Sequence, residues 1–332
     1  MRTTMSYWPS TKTGSRLRSG ITATVVLAMM SLSLLVSSPA SAHPALHLGE
    51  GGNGTYLALG DSVAFGYTPP ATTSTATYLD ASNFTSYAND LAQSLGLTLT
   101  NASCPGETTG SMIDPTAPSN GCENTLGDPP GYLTYFPLHV SYTGSQLDYA
   151  VSYLKSHPHT RLVTIDIGAN DAFVCEAMTD DNCASELPGA LASIATNLAT
   201  IYHAIRVDAG YTHALVALDY YSINYNDPIQ VAETEALNQA IIAPTLAAGG
   251  IVADGFGAFE TASQLSSGDP CVAGLLVKYP GGPSTGCNIH PSPLGHQVLA
   301  QAITAALNSF PRAFACGRGL AFHGAPTVAV RH

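Results

Sequence analysis

Positive charge is scarce in this sequence. Its 332 residues hold 11 Lys and Arg against 23 Asp and Glu, and charged residues make up only 10% of the chain. Four of the eleven cations (Arg2, Lys12, Arg16 and Arg18) lie at the extreme amino terminus, and without them the balance is 7 − 23 = −16 with His neutral. A domain this acidic is a poor match for nucleic acid or anionic headgroups, so neither is expected as a partner. Long apolar runs are missing too. The longest, residues 21–36, falls short of the ~20 residues that span a bilayer, which argues against stable membrane insertion. No two cysteines have C-x₂-C or C-x₄-C spacing, so a structural zinc site has no support, and no repeat is evident.

What the amino terminus does have is a basic stretch without acids, the apolar run, and then the small residues Ala40-Ser41-Ala42. That order reads as a cleaved secretory signal peptide over 1–42 and a secreted, extracellular product. The remaining 332 − 42 = 290 residues fit one folded domain over 43–310, followed by a tail over 311–332 expected to be poorly ordered. The chain is read as a monomer.

Seven cysteines in an exported chain favour disulfides over thiol chemistry. Pairing neighbours gives Cys104 with Cys122, Cys175 with Cys183 and Cys271 with Cys287, leaving Cys316 over. Six cysteines nevertheless allow 15 connectivities, and sequence alone does not choose among them.

Four segments read as buried strands: Tyr56–Gly60, Leu97–Asn101, Leu162–Gly168 and Ala214–Leu218, with Ile251–Ala253 as a fifth. Helical patterns at Thr85–Leu95, Ser145–Ser156, Ala190–Ala209, Val231–Ala247 and Pro293–Leu307 separate or follow them. This alternation predicts an α/β protein, a three-layer α/β/α domain on a mostly parallel five-stranded sheet. Long Gly/Pro/Ser/Thr-rich stretches at 68–77, 105–132 and 268–292 exceed ordinary connections and are expected to shape a site.

Three short polar stretches follow predicted strands: Gly60-Asp61-Ser62, the run from Asn101 through Gly106, and Gly168-Ala169-Asn170-Asp171. A fourth, Asn288-Ile289-His290-Pro291, precedes the last helix. In a parallel sheet the first three meet at one edge, and a loop can bring the fourth to them. The residue types suit acyl transfer. Ser62 supplies the nucleophile, and His290, of ordinary pKa near ~6.5, supplies the base. The Gly106 N–H, the Asn170 carboxamide and the Ser62 N–H can face a developing oxyanion.

In that order the four stretches resemble the blocks of the SGNH (GDSL-type) hydrolases, over roughly Tyr56 to Leu307. The resemblance implies a flavodoxin-like α/β/α fold and a serine ester hydrolase, an esterase or lipase, without metal or organic cofactor. Its partner would be a small-molecule or lipid ester. The cysteine pattern, NASCPGETT and CNIHPS look most like secreted actinobacterial esterases and lipases, a likeness that supports pairing neighbouring cysteines.

One position departs from the family. The aspartate usually found three residues before the histidine is replaced by Cys287. A Ser62–His290 dyad is therefore expected, its Nδ1–H held by a main-chain carbonyl in the Lys278–Asn288 loop, with Asp254 or Asp269 as the alternative third member. Acyl transfer is expected to fail as pH drops through about 6–6.5, where an unperturbed imidazole gains its proton. Asp61 and Asp171 are expected to brace turns, His296 to pack, and Tyr220 and Tyr221 to wall a pocket or pack a loop. Asn53, Asn83 and Asn101 stand in glycosylation sequons. Competing readings are a carbohydrate acetyl esterase, a silent glycan- or lipid-binding relative, and a two-metal phosphoesterase. The last lacks an early Asp-x-His pair and a histidine beside Asn170.

Overall fold

The computed structural model describes residues 54–69, 74–279 and 286–309. The proposed leader, Asn53, and the tail with Cys316 lie outside the described residues. In chain order come β1 (Thr55–Gly60), α1 (Ser62–Phe65), α2 (Tyr87–Leu95), β2 (Thr98–Asn101), α3 (Thr109–Ile113), α4 (Tyr132–Tyr135) and α5 (Gln146–Ser156). These are followed by β3 (Thr160–Asp166), α6 (Ala169–Met178), α7 (Leu187–His203), β4 (Ala214–Leu218), α8 (Pro228–Ala247), β5 (Ile251–Ala253) and α9 (Gly255–Ser263). A hairpin of β6 (Leu276–Lys278) and β7 (Cys287–Pro291) leads into α10 (Pro293–Ser309).

The sheet has the order β2-β1-β3-β4-β5, with every pairing parallel. This is the flavodoxin-like strand order. β1 and β3 are buried along almost their whole length, on residues pointing to either face, the mark of strands covered on both faces. One helical group joins α10 to α2 and α9, and another joins α7 to α8, α3 and α6. The helices start where capping chemistry starts them. Ser86 and Ser145 form capping boxes on α2 and α5, and Asp227 accepts from the first turn of α8 ahead of Pro228.

The five strands lie where the sequence places them, within two residues at each end. Five helices (α1, α3, α4, α6 and α9) and the hairpin do not appear in the sequence pattern. Only Asn170 of α6 is buried, so that helix carries no apolar stripe. α9 begins with two glycines in three residues. The predicted helix 190–209 starts three residues earlier at Leu187 and ends as α7 at His203, passing into a π-helical turn over Ala204–Asp208.

The chain order reverses at β1, which has β2 on one side and β3 on the other. In open parallel sheets a crevice opens outside the carboxyl ends of the strands at such a switch point. The termini of β1, β2 and β3 carry the three polar stretches to that edge.

Candidate active site

Ser62 stands first in α1, two residues past the end of β1, with Asp61 between them. Gly60 makes that turn possible. Its φ is +127°, and a Cβ there would lie 2.1 Å from the Asp166 carbonyl oxygen of β3, so a side chain is excluded on both counts. The Asp61 N–H donates to the same carbonyl (3.1 Å), and its carboxylate caps α1 through the Val63 N–H (2.9 Å). Gln146 completes the elbow from α5: its Oε1 accepts from the Gly60 N–H (2.7 Å) and its Nε2 donates to the Gly60 carbonyl (3.0 Å). A half-exposed Ser62 is thereby held on a buried support.

His290 reaches Ser62 from β7, with Nε2 2.9 Å from the serine Oγ. The Cys271–Cys287 disulfide ties down the start of β7, and the Tyr221 hydroxyl donates to the Ile289 carbonyl (2.7 Å). The Tyr67 ring lies against the imidazole with centroids 5.0 Å apart.

The partner of Nδ1 differs from expectation. Among the described residues it is the side-chain oxygen of Asn288, not a main-chain carbonyl. Residues 280–285 of that loop lie outside the described residues. The cause is strand geometry: positions i and i+2 of a strand face the same way, so Asn288 sits beside His290 on β7. The same oxygen accepts the His290 backbone N–H (3.1 Å). A backbone N–H only donates, so the Asn288 atom facing it must be the oxygen, and Nδ1 must carry the ring proton. Nε2 is then the bare nitrogen, correctly placed to accept from Ser62. Asp254 and Asp269 are engaged elsewhere: Asp254 accepts from the Gly257 N–H, and Asp269 from the N–H groups of Cys271 and Val272.

Burial lowers the His290 pKa to about 4, because charging the ring there forfeits its hydration. The expected loss of function through pH 6–6.5 is therefore corrected downward: a ring with this pKa stays neutral into mildly acid solution. His296 is lowered to about 3, chiefly by burial and secondarily by His290. Its Nδ1 accepts the Tyr87 N–H at the start of α2 (3.2 Å), so it packs and caps.

Asn170 is buried in the first turn of α6. Its Nδ2 donates to Asp61 Oδ2 (3.2 Å), and its Oδ1 accepts from Asn120 Nδ2 (2.8 Å). Asp61 also receives the Tyr220 hydroxyl (2.6 Å), so Tyr220 braces the elbow. Burial raises Asp61 to about 6 even though these donors favour its charged form. Asp171 ties α6 to α3, accepting from the Thr109 N–H (2.8 Å), and burial likewise raises it to about 6.

Gly106 has φ +87°, and a Cβ there would lie 2.4 Å from the Asn120 carbonyl oxygen. Its own carbonyl accepts from the Asn120 N–H (2.8 Å). The following residue, Glu107, is fully buried and accepts from Gln146 Nε2 (3.0 Å), which links this turn to the elbow. Burial and the neighbouring Glu123 raise Glu107 well above the ordinary carboxylate range. The bonds Cys104–Cys122, Cys175–Cys183 and Cys271–Cys287 are all present. The first closes the segment that runs from Gly106 to Asn120.

The structure thus brings Ser62, Gly106, Asn170 and His290 to one edge of the sheet. The sequence points to neither Asn120 nor Gln146, and it passes over Asn288 because a carboxamide cannot carry the charge of a triad acid. For Asn288 a signal existed, its i, i+2 relation to His290. Asn101 is buried with Nδ2 on the Ala64 carbonyl (2.8 Å), so that sequon is a structural tie, whereas Asn83 is exposed.

The GDSL-like lipase/acylhydrolase family matches the chain over residues 58–298, a span that includes all four residues. No curated protein matches the chain. Similar solved structures include the acetylxylan esterase Axe2 from Geobacillus stearothermophilus, 16% identical, covering 80% of this chain and 98% of that one, with a TM-score of 0.47. Another is phospholipase A1 from Streptomyces albidoflavus NA297, 18% identical over 76% and 99%, TM-score 0.49. A third is LAE5, an alpha/beta hydrolase enzyme from the metagenome of Lake Arreo, Spain, 16% identical over 79% and 97%, TM-score 0.44.

Proposed function

Because the chain belongs to the GDSL-like lipase/acylhydrolase family, we propose that it is a secreted carboxylic-ester hydrolase working through an acyl-enzyme on Ser62. The observation that carries this reading is the 2.9 Å contact between Ser62 Oγ and His290 Nε2, made across 228 residues of chain with the ring proton fixed on the far nitrogen. The neutral imidazole accepts the serine proton as Oγ attacks the ester carbonyl carbon. The N–H groups of Ser62 and Gly106 and the Asn170 Nδ2 receive the oxyanion. As the C–O bond breaks, the imidazolium returns its proton to the departing alkoxide. Water, deprotonated by His290, then releases the acid from Ser62.

The three disulfides support an oxidising, extracellular setting. No helix among the described residues is long and apolar enough to cross a membrane. An aromatic bank of Tyr67, Tyr78, Tyr132 and Phe136 adjoins His290 through Tyr67 and supports an apolar acyl group. Each buried methylene contributes about 0.8 kcal/mol.

Rates on p-nitrophenyl esters of two to sixteen carbons, with and without EDTA, test this reading. Turnover unaffected by EDTA, with kcat/KM rising with chain length over the shorter esters, is expected. No turnover, or turnover abolished by chelation, contradicts it. Faster release of acetate from an acetylated polysaccharide than of any longer acyl group assigns the site to a carbohydrate acetyl esterase instead.

A further inference from the structure

We infer that Asn120 is the positioning residue for two of the oxyanion-hole donors at once, an assignment that rests on the hydrolase reading above. Its backbone and its side chain act on different partners. The backbone N–H holds the Gly106 carbonyl (2.8 Å), and its own carbonyl oxygen occupies the space a side chain at 106 would need. The side-chain Nδ2 holds Asn170 Oδ1 (2.8 Å). On its other side the Asn170 Nδ2 meets the Asp61 carboxylate (3.2 Å), which in its ionised form only accepts. A carboxamide gripped by a donor at its oxygen and an acceptor at its nitrogen has a single orientation. One of its two N–H bonds is thereby spent on Asp61, and the other is left to face a substrate oxygen.

Asn120 lies outside the four blocks and 50 residues from Asn170 in sequence. Its place is set by the loop that the Cys104–Cys122 bond closes, and by a bridge pairing of Asn120 with Thr125. Asn124 stiffens the same loop: its Oδ1 accepts from the Ser119 and Gly127 N–H groups (2.9 and 2.7 Å), and its Nδ2 donates to the Ala117 carbonyl (2.9 Å). None of these bonds involves Asn170, which makes Asn124 a control for loop integrity.

The test compares Asn120→Asp, Asn120→Ala and Asn124→Ala by kcat, KM and thermal unfolding midpoint on a p-nitrophenyl ester. A carboxylate at 120 repels Asn170 Oδ1 or turns the amide over, presenting oxygen to the oxyanion. The expected result is kcat lower by about 10²–10³ in Asn120→Asp with KM within about threefold of wild type. Asn120→Ala, which frees the amide without reversing it, falls between wild type and Asn120→Asp. Asn124→Ala loses thermal stability but keeps its kcat. The assignment is overturned if kcat of folded Asn120→Asp and Asn120→Ala stays within about threefold of wild type, or if Asn124→Ala loses as much kcat as they do. Wild-type protein inert towards esters overturns the hydrolase reading instead.

Discussion

His290→Ala should lower kcat by a factor on the order of 10⁶, the cost of deleting the general base from a serine hydrolase site that acts as a unit. The informative comparison is with its neighbour. Asn288→Leu keeps the side-chain volume roughly and removes the acceptor. The ring can then turn or take the wrong tautomer, and kcat should fall by about 10²–10⁴. Asn288→Asp retains an oxygen at the same place and adds charge. It should stay active, and its acid limb of kcat/KM should move upward, because a carboxylate beside Nδ1 favours the imidazolium. In the wild type that limb is expected near pH 4, where burial places the ring. The sign follows from the base being active only when neutral: lowering its pKa widens the active range on the acid side. A wild-type limb at 6–6.5 contradicts the lowering of the ring's pKa by burial, and Asn288→Leu with unchanged kcat contradicts the role given to Asn288.

Gly106→Ala is the second large effect. The backbone there is left-handed, and the added methyl meets the Asn120 carbonyl oxygen at 2.4 Å and its carbon at 2.6 Å, both main-chain atoms that cannot swing away. The turn must shift, and the Gly106 N–H shifts with it. Loss of one oxyanion donor alone costs about 10²–10³ in kcat. A backbone clash that also strains the segment closed by Cys104–Cys122 should lower the unfolding midpoint as well. Steady-state kinetics together with thermal unfolding measure both. An Ala variant with wild-type kcat would show that no reacting atom depends on that amide.

The parts of the site that the sequence displayed share a cause. The strands of the sheet are apolar runs bounded by breakers, and Ser62, Gly106 and Asn170 each follow one of them, so a parallel sheet by itself gathers them at one edge. The missed parts depend on local geometry that composition does not encode. Asn288 falls in the Gly/Pro/Ser/Thr-rich stretch 268–292, which reads as a loop, yet β7, which carries it, pairs with β6 under the Cys271–Cys287 bond. Once that segment is a strand, its orientation toward His290 follows. Asn120 reaches Asn170 only through an irregular loop, whose path no periodicity describes. Helix α6 was hidden because Gly168-Ala169-Asn170-Asp171 has the residues of a cap or turn, and the helix behind it buries little.

The most direct measurement is mass spectrometry of the folded protein after exposure to a fluorophosphonate, which traps only an activated serine. One label per chain on the peptide containing Ser62 is expected, its rate falling sharply in His290→Ala. Folded wild-type protein that takes no label, or takes it on another serine, contradicts the assignment of Ser62 as nucleophile.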